Sequence, residues 1–290
     1  MKEKVGILHP GEMGISVAAS ALKSGCLVYW ASEGRSQKTR ERAERYGLED
    51  TSTLAKLCET CSVIISVCPP HAAEEVGKKV LAHSFKGLYV DANAISPQRV
   101  IRIGEAMVEG GVAFVDGGII GGPAWKAETT WLYLSGQEAQ RAASCFSAGP
   151  LGTEVVGEDI GKASALKMCY AAYTKGTTAL LCAVLGAAEG LGVRKELETQ
   201  WSRNGSDFVE RTTQQVRRST AKAWRFVGEM VEIAATLEET GIPHGFHTAA
   251  ADIFRRMAPL RSMADLPSIE DVLAALLRGR KEGGAEKERK

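Results

Sequence analysis

Lys167 is a lone charge in an apolar stretch, flanked by Ala163, Ser164, Ala165, Leu166, Met168 and Cys169. An amine among such residues is costly to bury without purpose, and burial lowers its pKa toward the range where it can take and return a proton. That is the general acid/base chemistry needed to oxidise an alcohol or reduce a carbonyl. A lysine at a helix edge can instead lay its stem on apolar surface and reach water, and the residues alone leave both readings open. One helix turn on, Tyr170 shares its face, with Thr174 beyond. Both are candidate substrate contacts, although Tyr170 also fits simple packing.

The second candidate group is a turn. Val5–Leu8 reads as a strand and runs into His9-Pro10-Gly11-Glu12-Met13-Gly14, which opens a helix. A dinucleotide needs a tight turn there, so that its pyrophosphate meets the free N–H groups of the helix. Gly11 fits the position where backbone approaches the pyrophosphate, and Gly14 the position where helix and strand pack closely. His9 stands where G-x-G-x-x-G has its first glycine, so context and not spelling carries this motif. All six turn residues are expected cofactor contacts. The second strand ends in Tyr29-Trp30-Ala31-Ser32-Glu33-Gly34-Arg35-Ser36, with nothing acidic right at the strand end. Ser32, Arg35 and Ser36 can form a pocket for a 2′-phosphate, which favours NADP(H), with NAD(H) the alternative. Glu33 argues the other way, and Arg35 also fits a solvated surface charge.

These residues need a scaffold. Short strands are expected at Val5–Leu8, Leu27–Trp30, Val63–Val67, Leu88–Asp91, Val112–Asp116, Trp131–Ser135 and Thr153–Val156. Helical patterns fall between them at Met13–Lys23, Gln37–Tyr46, His71–Leu81, from Pro97, and at Ala139–Phe146. The rhythm predicts an α/β chain with an N-terminal Rossmann domain, a doubly wound and mostly parallel sheet. After Gly161 the strand signal stops. Lys162–Leu191 predicts one long interdomain helix, followed by helices near Glu196–Trp201, Asp207–Arg217, Ala221–Thr240, Phe246–Met257 and Ile269–Leu277. The expected domains are residues 1–160, binding NAD(P), and residues 161–278, an all-helical substrate and dimerisation domain. A tail of Gly and charge, residues 279–290, is expected to be disordered.

Composition narrows the partners. The 290 residues are 44% hydrophobic and 24% charged, with a net charge of +1, so nothing favours a nucleic acid. No apolar run approaches the ~18 residues of a membrane span, and the N-terminus lacks a signal-peptide pattern. Seven cysteines are scattered, and Cys58-Glu59-Thr60-Cys61 has no second pair to complete a metal site. Reduced thiols in a cytoplasmic protein, with no metal, is the expectation.

Several segments line up with one known family. Val67-Cys68-Pro69-Pro70 matches a small-Pro strand end beside the cofactor. Asp91-Ala92-Asn93-Ala94-Ile95-Ser96-Pro97 matches an Asp-x-Ser-Thr-x-x-Pro segment. Asp116-Gly117-Gly118-Ile119-Ile120-Gly121-Gly122 matches a substrate loop of the form Asp-Ala-Pro-Val-Ser-Gly-Gly. Gly161 and Lys167 match a Gly-x-Gly-x-x-x-Lys-x-x-Asn-Asn helix start. With the turn at 9–14, these segments resemble the β-hydroxyacid dehydrogenases, the 3-hydroxyisobutyrate and 6-phosphogluconate dehydrogenase superfamily. The chain is most like its phosphogluconate-dehydrogenase-like branch with a helical C-terminal domain of unknown function. The resemblance implies that Lys167 is the catalytic acid/base and that Val67, Cys68 and Pro69 contact the cofactor. It places Asn93 at the nicotinamide ribose or the substrate hydroxyl, and Ile120, Gly121 and Gly122 at the substrate.

The departures are specific. Ile120 replaces the substrate-loop Ser, and Tyr170-Ala171 replace the Asn pair. Asn93-Ala94 replace Ser-Thr, and Gly228-Glu229 stand where the family has a late Lys-Asp. The usual small hydroxy acid is therefore not implied, while Gly121 and Gly122 still offer N–H donors to an anion. Trp224 and Arg225 are further candidates to reach the cleft, Lys175 is expected to be peripheral, and His244 and His247 fit a structural or surface role, with a cleft-lining one the alternative. The leading reading is an NADP(H)-dependent dehydrogenase or reductase acting at an alcohol or carbonyl carbon of a small, anionic, hydroxy-acid-like molecule. Imine reduction on the same scaffold and a nucleotide-binding regulator without activity are the alternatives. The apolar long helix also predicts a homodimer through the helical domain.

Overall fold

The computed structural model describes residues 2–278; the expected disordered tail, 279–290, lies outside the described residues. The described chain forms two compact units, one ending at Tyr170 and the other beginning at Ala171. In the first unit the order is β1 (Lys4–Ile7), α1 (Glu12–Lys23), β2 (Leu27–Trp30), α2 (Gln37–Arg45), β3 (Glu49–Asp50), α3 (Leu54–Thr60), β4 (Val63–Ser66) and α4 (Ala73–Ala82). It continues through β5 (Leu88–Asp91), α5 (Pro97–Glu109), β6 (Ala113–Gly121), β7 (Thr130–Ser135), α6 (Ala139–Ser144) and β8 (Gly152–Gly157) to the first turns of α7 (Lys162–Leu191).

One eight-stranded sheet runs β3-β2-β1-β4-β5-β6-β7-β8, parallel except for the β6–β7 pair. Its strands are apolar on both faces, as parallel strands under helices must be: all four residues of β4 and of β5 are buried. One face carries α1 and α6 over Val5, Ile7, Val63 and Val90. The other carries α3, α4 and α5 over Ile64, Tyr89 and Phe114. The helices follow from local signals. Pro97 starts α5 at its first turn, and Val100, Ile103, Gly104 and Met107 form its buried stripe. Ser36 caps α2, a charged surface helix that buries only Ala43.

The expected doubly wound, mostly parallel Rossmann architecture is present. Two elements were not expected: β3 and α3. One expected loop is a strand: β6 does not stop at Asp116 but continues through Gly121, paired with β7. The glycines read as loop residues are there because the strand is crowded. A Cβ on Gly117 would press on the Asp91 carbonyl, and one on Gly121, at φ +124, would collide with the Thr129 carbonyl.

The second unit is helical. After α7 come α8 (Arg194–Trp201), α9 (Phe208–Ser219), α10 (Ala223–Glu239), α11 (Gly245–Met257) and α12 (Ile269–Leu277). Met230, Ile233, Phe254, Met257 and Leu273 are buried within it. Phe226 meets Phe254 edge-on between α10 and α11, ring centroids 5.1 Å apart. Ser268 and Asp271 close a capping box at α12. No described helix is long and apolar enough to cross a membrane.

Candidate active site

The sheet's strand order reverses between β1 and β4, and the carboxyl ends of these adjacent parallel strands are where such folds bind ligands. The turn after β1 brings the N-terminus of α1 close against the strand. A Cβ on Gly14 would collide with the His9 carbonyl, so only glycine lets α1 begin this close to the strand. A Cβ on Gly11 would meet nothing, and no side chain caps α1 there. The helix N-terminus is thus open to an anion. Arg42 braces the turn from α2, its Nη1 donating to the Pro10 carbonyl at 3.2 Å.

Beside the turn lies a cavity of about 150 Å³ lined by Leu8, His9, Ala31, Glu33, Arg35, Leu54, Val76 and Lys79. Two buried polar atoms in it, His9 Nδ1 and Arg35 Nε, have no partner. Such atoms fit a polar occupant. Arg35 Nη2 donates to the Leu8 carbonyl, and Arg40 lies across the Ser32 carbonyl at 2.7 Å. Ser32 is buried, its N–H given to Asp50 Oδ1, which also accepts from Ser52 N. Ser36 is committed to capping α2. The expected cofactor residues of the turn and Arg35 therefore gather at one place. Lys79 and Arg40, unanticipated from the sequence, join them.

At the ends of β4 and β5, Asn93 is 2% exposed and has both amide ends engaged. Its Oδ1 accepts from Cys68 N at 2.6 Å and its Nδ2 donates to Ser66 Oγ. It ties the Val67-Cys68-Pro69 segment to β5. Burial pushes the Cys68 thiol up to about 12. The pair Cys58 and Cys61 is also buried, with thiols pushed up by burial to about 11 and about 12. Among the described residues no group of three or more His, Cys, Asp or Glu side chains could hold a metal.

Half-buried His9, after β1, and buried Asp91, at the end of β5, titrate in opposite senses. Burial, then the charges of Arg35 and Lys79, holds His9 down from 6.5 to about 4. Burial, reinforced by the Asp116 charge, pushes Asp91 up from 3.8 to about 7, against its hydrogen bond from Asn93 N. Between about pH 4 and 6.5 the unfolded chain binds more protons at His9, so that term makes stability rise with pH. From about pH 4 to 7 the folded chain binds more protons at Asp91, so that term makes stability fall as pH rises. The two oppose each other. Relative to the wild type, urea midpoints should climb with pH more steeply in Asp91→Asn and fall with pH in His9→Gln. Parallel midpoint curves for all three proteins would contradict these assignments.

Lys167 is positioned from β6. Asp116, fully buried, accepts Ser135 Oγ, Gly161 N and Ser164 N at Oδ2, each at 3.0 Å, and Ser164 Oγ at Oδ1, at 2.6 Å. Burial raises the Asp116 carboxyl, and these donors pull it back. The result clamps the first turn of α7 to the sheet. Ser135 Oγ adds a bond from Ala163 N. Gly118 completes the fit: a Cβ there would stand 2.6 Å from the Ala163 carbonyl and 3.0 Å from Lys167 Cβ. Lys167 therefore sits half-buried against β6 at Gly118. In the paired register Asp91 faces Asp116, so Gly118 and Asn93 each lie two residues past a matched pair. Ile120 is half-buried on β6, Gly121 and Gly122 are exposed, and Tyr170 is 48% exposed.

Thr174 belongs to the second unit. There Lys175, expected at the periphery, forms a largely buried ion pair with Glu229, Nζ to Oε2 2.8 Å, with its ammonium 5.3 Å from the Phe226 ring centroid. His247 is buried, its Nε2 3.3 Å from the Ala172 carbonyl, in the space left by Gly176. Trp224 is 42% exposed, with Arg261 over its ring.

Residues 4–148 match the NAD binding domain of 6-phosphogluconate dehydrogenase, and residues 188–257 match a domain of unknown function (DUF1932). An uncharacterized 28.5 kDa protein of Methanothermus fervidus is 31% identical over 231 residues, 79% of this chain and 89% of that one. A solved structure of a conserved protein of unknown function, described as similar to 3-hydroxyacid dehydrogenases, is 32% identical. It covers 90% of this chain and 100% of its own, with a TM-score of 0.65. The 3-hydroxyisobutyrate dehydrogenase of Mycobacterium tuberculosis, solved with L-serine, shares the fold at 18% identity, covering 95% of this chain and 99% of that one, TM-score 0.68. The chain thus belongs to the β-hydroxyacid dehydrogenase superfamily, its N-terminal half matching the NAD binding domain of 6-phosphogluconate dehydrogenase.

Proposed function

We propose that this protein is an NADP(H)-dependent oxidoreductase acting at an alcohol or carbonyl carbon of a small anionic substrate, with Lys167 as general acid/base. The observation that carries the reading is the clamp of Asp116 and Gly118, which holds a half-buried lysine beside the carboxyl ends of β5 and β6. When bound, the nicotinamide exchanges hydride with the substrate carbon. The Lys167 amine takes the hydroxyl proton in oxidation and returns it in reduction. Gly121 and Gly122 are exposed at the end of β6, where their N–H groups can meet an anionic group. Asn93 holds the cofactor-side segment in place through Cys68 N.

The nucleotide would be held by the turn from His9 to Gly14 and by the cavity beside it. Preference for NADP(H) is supported by Arg35 in that cavity, with Lys79, itself paired to Glu75, beside it and Glu33 opposing. It is supported also by Asp50, paired with the last residue of β2, being engaged by Ser32 N and Ser52 N. The test is turnover with NADP(H) and NAD(H) over a panel of β-hydroxy acids, sugar acids and cyclic imines. Oxidation of a hydroxy acid with at least ~10-fold preference for NADP+ is expected. In Arg35→Ala the KM for NADP+ should rise about 10-fold or more while that for NAD+ changes little. Turnover of imines alone would replace the reading with imine reduction. Cofactor binding without any turnover would replace it with a regulator.

We also read the protein as a homodimer through its helical unit. Tyr173, Leu180 and Leu191 of α7 are exposed at 73%, 49% and 72%. Exposed apolar side chains 7 and 11 residues apart fall on one face of the helix, which favours a partner, and a second copy is the commonest one. A sedimentation mass of one chain would exclude it.

A further inference from the structure

A second cavity, of about 410 Å³, opens in the first unit where α1, α2 and the segment after β6 come together. It shares no residue with the nucleotide cavity. Its wall is aromatic. Tyr46, at the end of α2, stacks on Trp125 with ring centroids 5.0 Å apart and planes 22° from parallel. Both remain open to solvent, at 37% and 47% exposure. Its charge is mixed but net positive: Lys38, Arg42 and Arg45 face Glu12 and Glu41.

The wall is held in place from beneath. Buried Ser16 of α1 accepts Ala124 N at 2.9 Å, and Trp125 N donates to the Pro123 carbonyl at 2.9 Å. Thr130 Oγ1 donates to the Gly122 carbonyl at 2.8 Å, so the Trp125 segment is fixed at both ends. Arg42 lines the cavity with one part of its side chain and donates from Nη1 to the Pro10 carbonyl with another. The cavity thus lies between the nucleotide turn and the segment that follows Gly121 and Gly122.

A stacked, open aromatic pair beside three cations suits a flat ring carrying one negative charge. The ring gains an offset stack, and the carboxylate gains charge-assisted bonds from guanidinium groups. We infer that this cavity binds a small aromatic carboxylate and that its occupation changes nucleotide affinity, through Arg42 at Pro10 and Trp125 beyond Gly122. The coupling rests on the nucleotide-binding reading; the cavity's ligand does not.

The experiment is calorimetric titration of the full chain with 4-hydroxybenzoate, with and without NADPH. One site per chain is expected. Affinity should fall about tenfold in Trp125→Leu, which removes the stack, and about tenfold in Arg45→Glu, which reverses a charge at the protein surface. Cyclohexanecarboxylate, with the charge but no π face, should bind about tenfold more weakly. Saturating 4-hydroxybenzoate should shift the NADPH Kd about fivefold or more, and NADPH should shift the 4-hydroxybenzoate Kd by the same factor. Unchanged affinity in both variants overturns the site. So does affinity lost in Lys167→Ala but kept in Trp125→Leu, which places the probe at the lysine. Variant losses as expected with an unmoved NADPH Kd overturn the coupling. If NADPH fails to bind while the probe still does, the nucleotide reading falls and the cavity assignment stands.

Discussion

Lys167→Ala should lower kcat by about 10²–10⁴ while leaving the NADPH Kd within about twofold. The separation follows from where the side chain stands. Its Cβ lies against Gly118 of β6, whereas the groups that fit the nucleotide lie at the turn after β1 and in the cavity lined by His9, Arg35 and Lys79. Removing the amine takes away the proton acceptor without touching those contacts. It also leaves the buried core intact, because Lys167 is only half-buried. The thermal midpoint should therefore hardly move. A second signature separates acid/base chemistry from mere placement: one limb of the kcat/KM pH profile should disappear in Lys167→Ala and in Lys167→Gln alike. Undiminished turnover in both variants would transfer the proton role elsewhere. Tyr170, one helix turn on and 48% exposed, is then the next side chain to replace.

What the sequence displayed was local. Leu27–Trp30 and Leu88–Asp91 are short β-branched or aromatic runs between breakers, and they are strands with those bounds. Pro97 and the helical pattern of Lys162–Leu191 marked helices just as directly. β3 is two exposed residues, Glu49 and Asp50, with no apolar period to read. α3 is seven residues, too short for a helical period to stand out, and only Thr53 as its cap marks it. The stretch from Gly117 to Gly121 looks like a loop because glycine weakens strands. The reason for its glycines is tertiary: the backbone of Asp91, Ala163 and Thr129 approaches Gly117, Gly118 and Gly121 too closely for a side chain. The supports of the site were hidden for the same cause. Asp116 finds Ser164 48 residues on, and Ser16 finds Ala124 108 residues on. The one readable hint was Asp116 itself, an acid at the end of an apolar strand, where burial demands donors.

Asp116→Ala should destabilise the protein by about 3 kcal/mol or more, with urea unfolding as the measure. Four donors lose their acceptor at once: the hydroxyls of Ser135 and Ser164, and the N–H groups of Gly161 and Ser164. Ser135 and Ser164 are essentially shielded from water, at 0% and 1% exposure, so solvent cannot replace the carboxylate. The more informative variant is Asp116→Asn. Its amide oxygen can still accept from Gly161 N and Ser164 N, so the fold should survive with a smaller loss, but its NH₂ then stands where Oδ1 took the Ser164 hydroxyl, which must turn from donor to acceptor. The first turn of α7 should then shift on β6, and with it Lys167. A displacement on the order of 1 Å is enough to cost about 10²-fold in rate. The Asn variant is therefore expected to lose kcat far more than stability, with the NADPH Kd and substrate KM within about twofold. That split is what distinguishes positioning from bulk stabilisation. A variant that loses stability and keeps its kcat would show that Asp116 secures the helix without aiming the lysine, and the clamp would then belong to the fold alone.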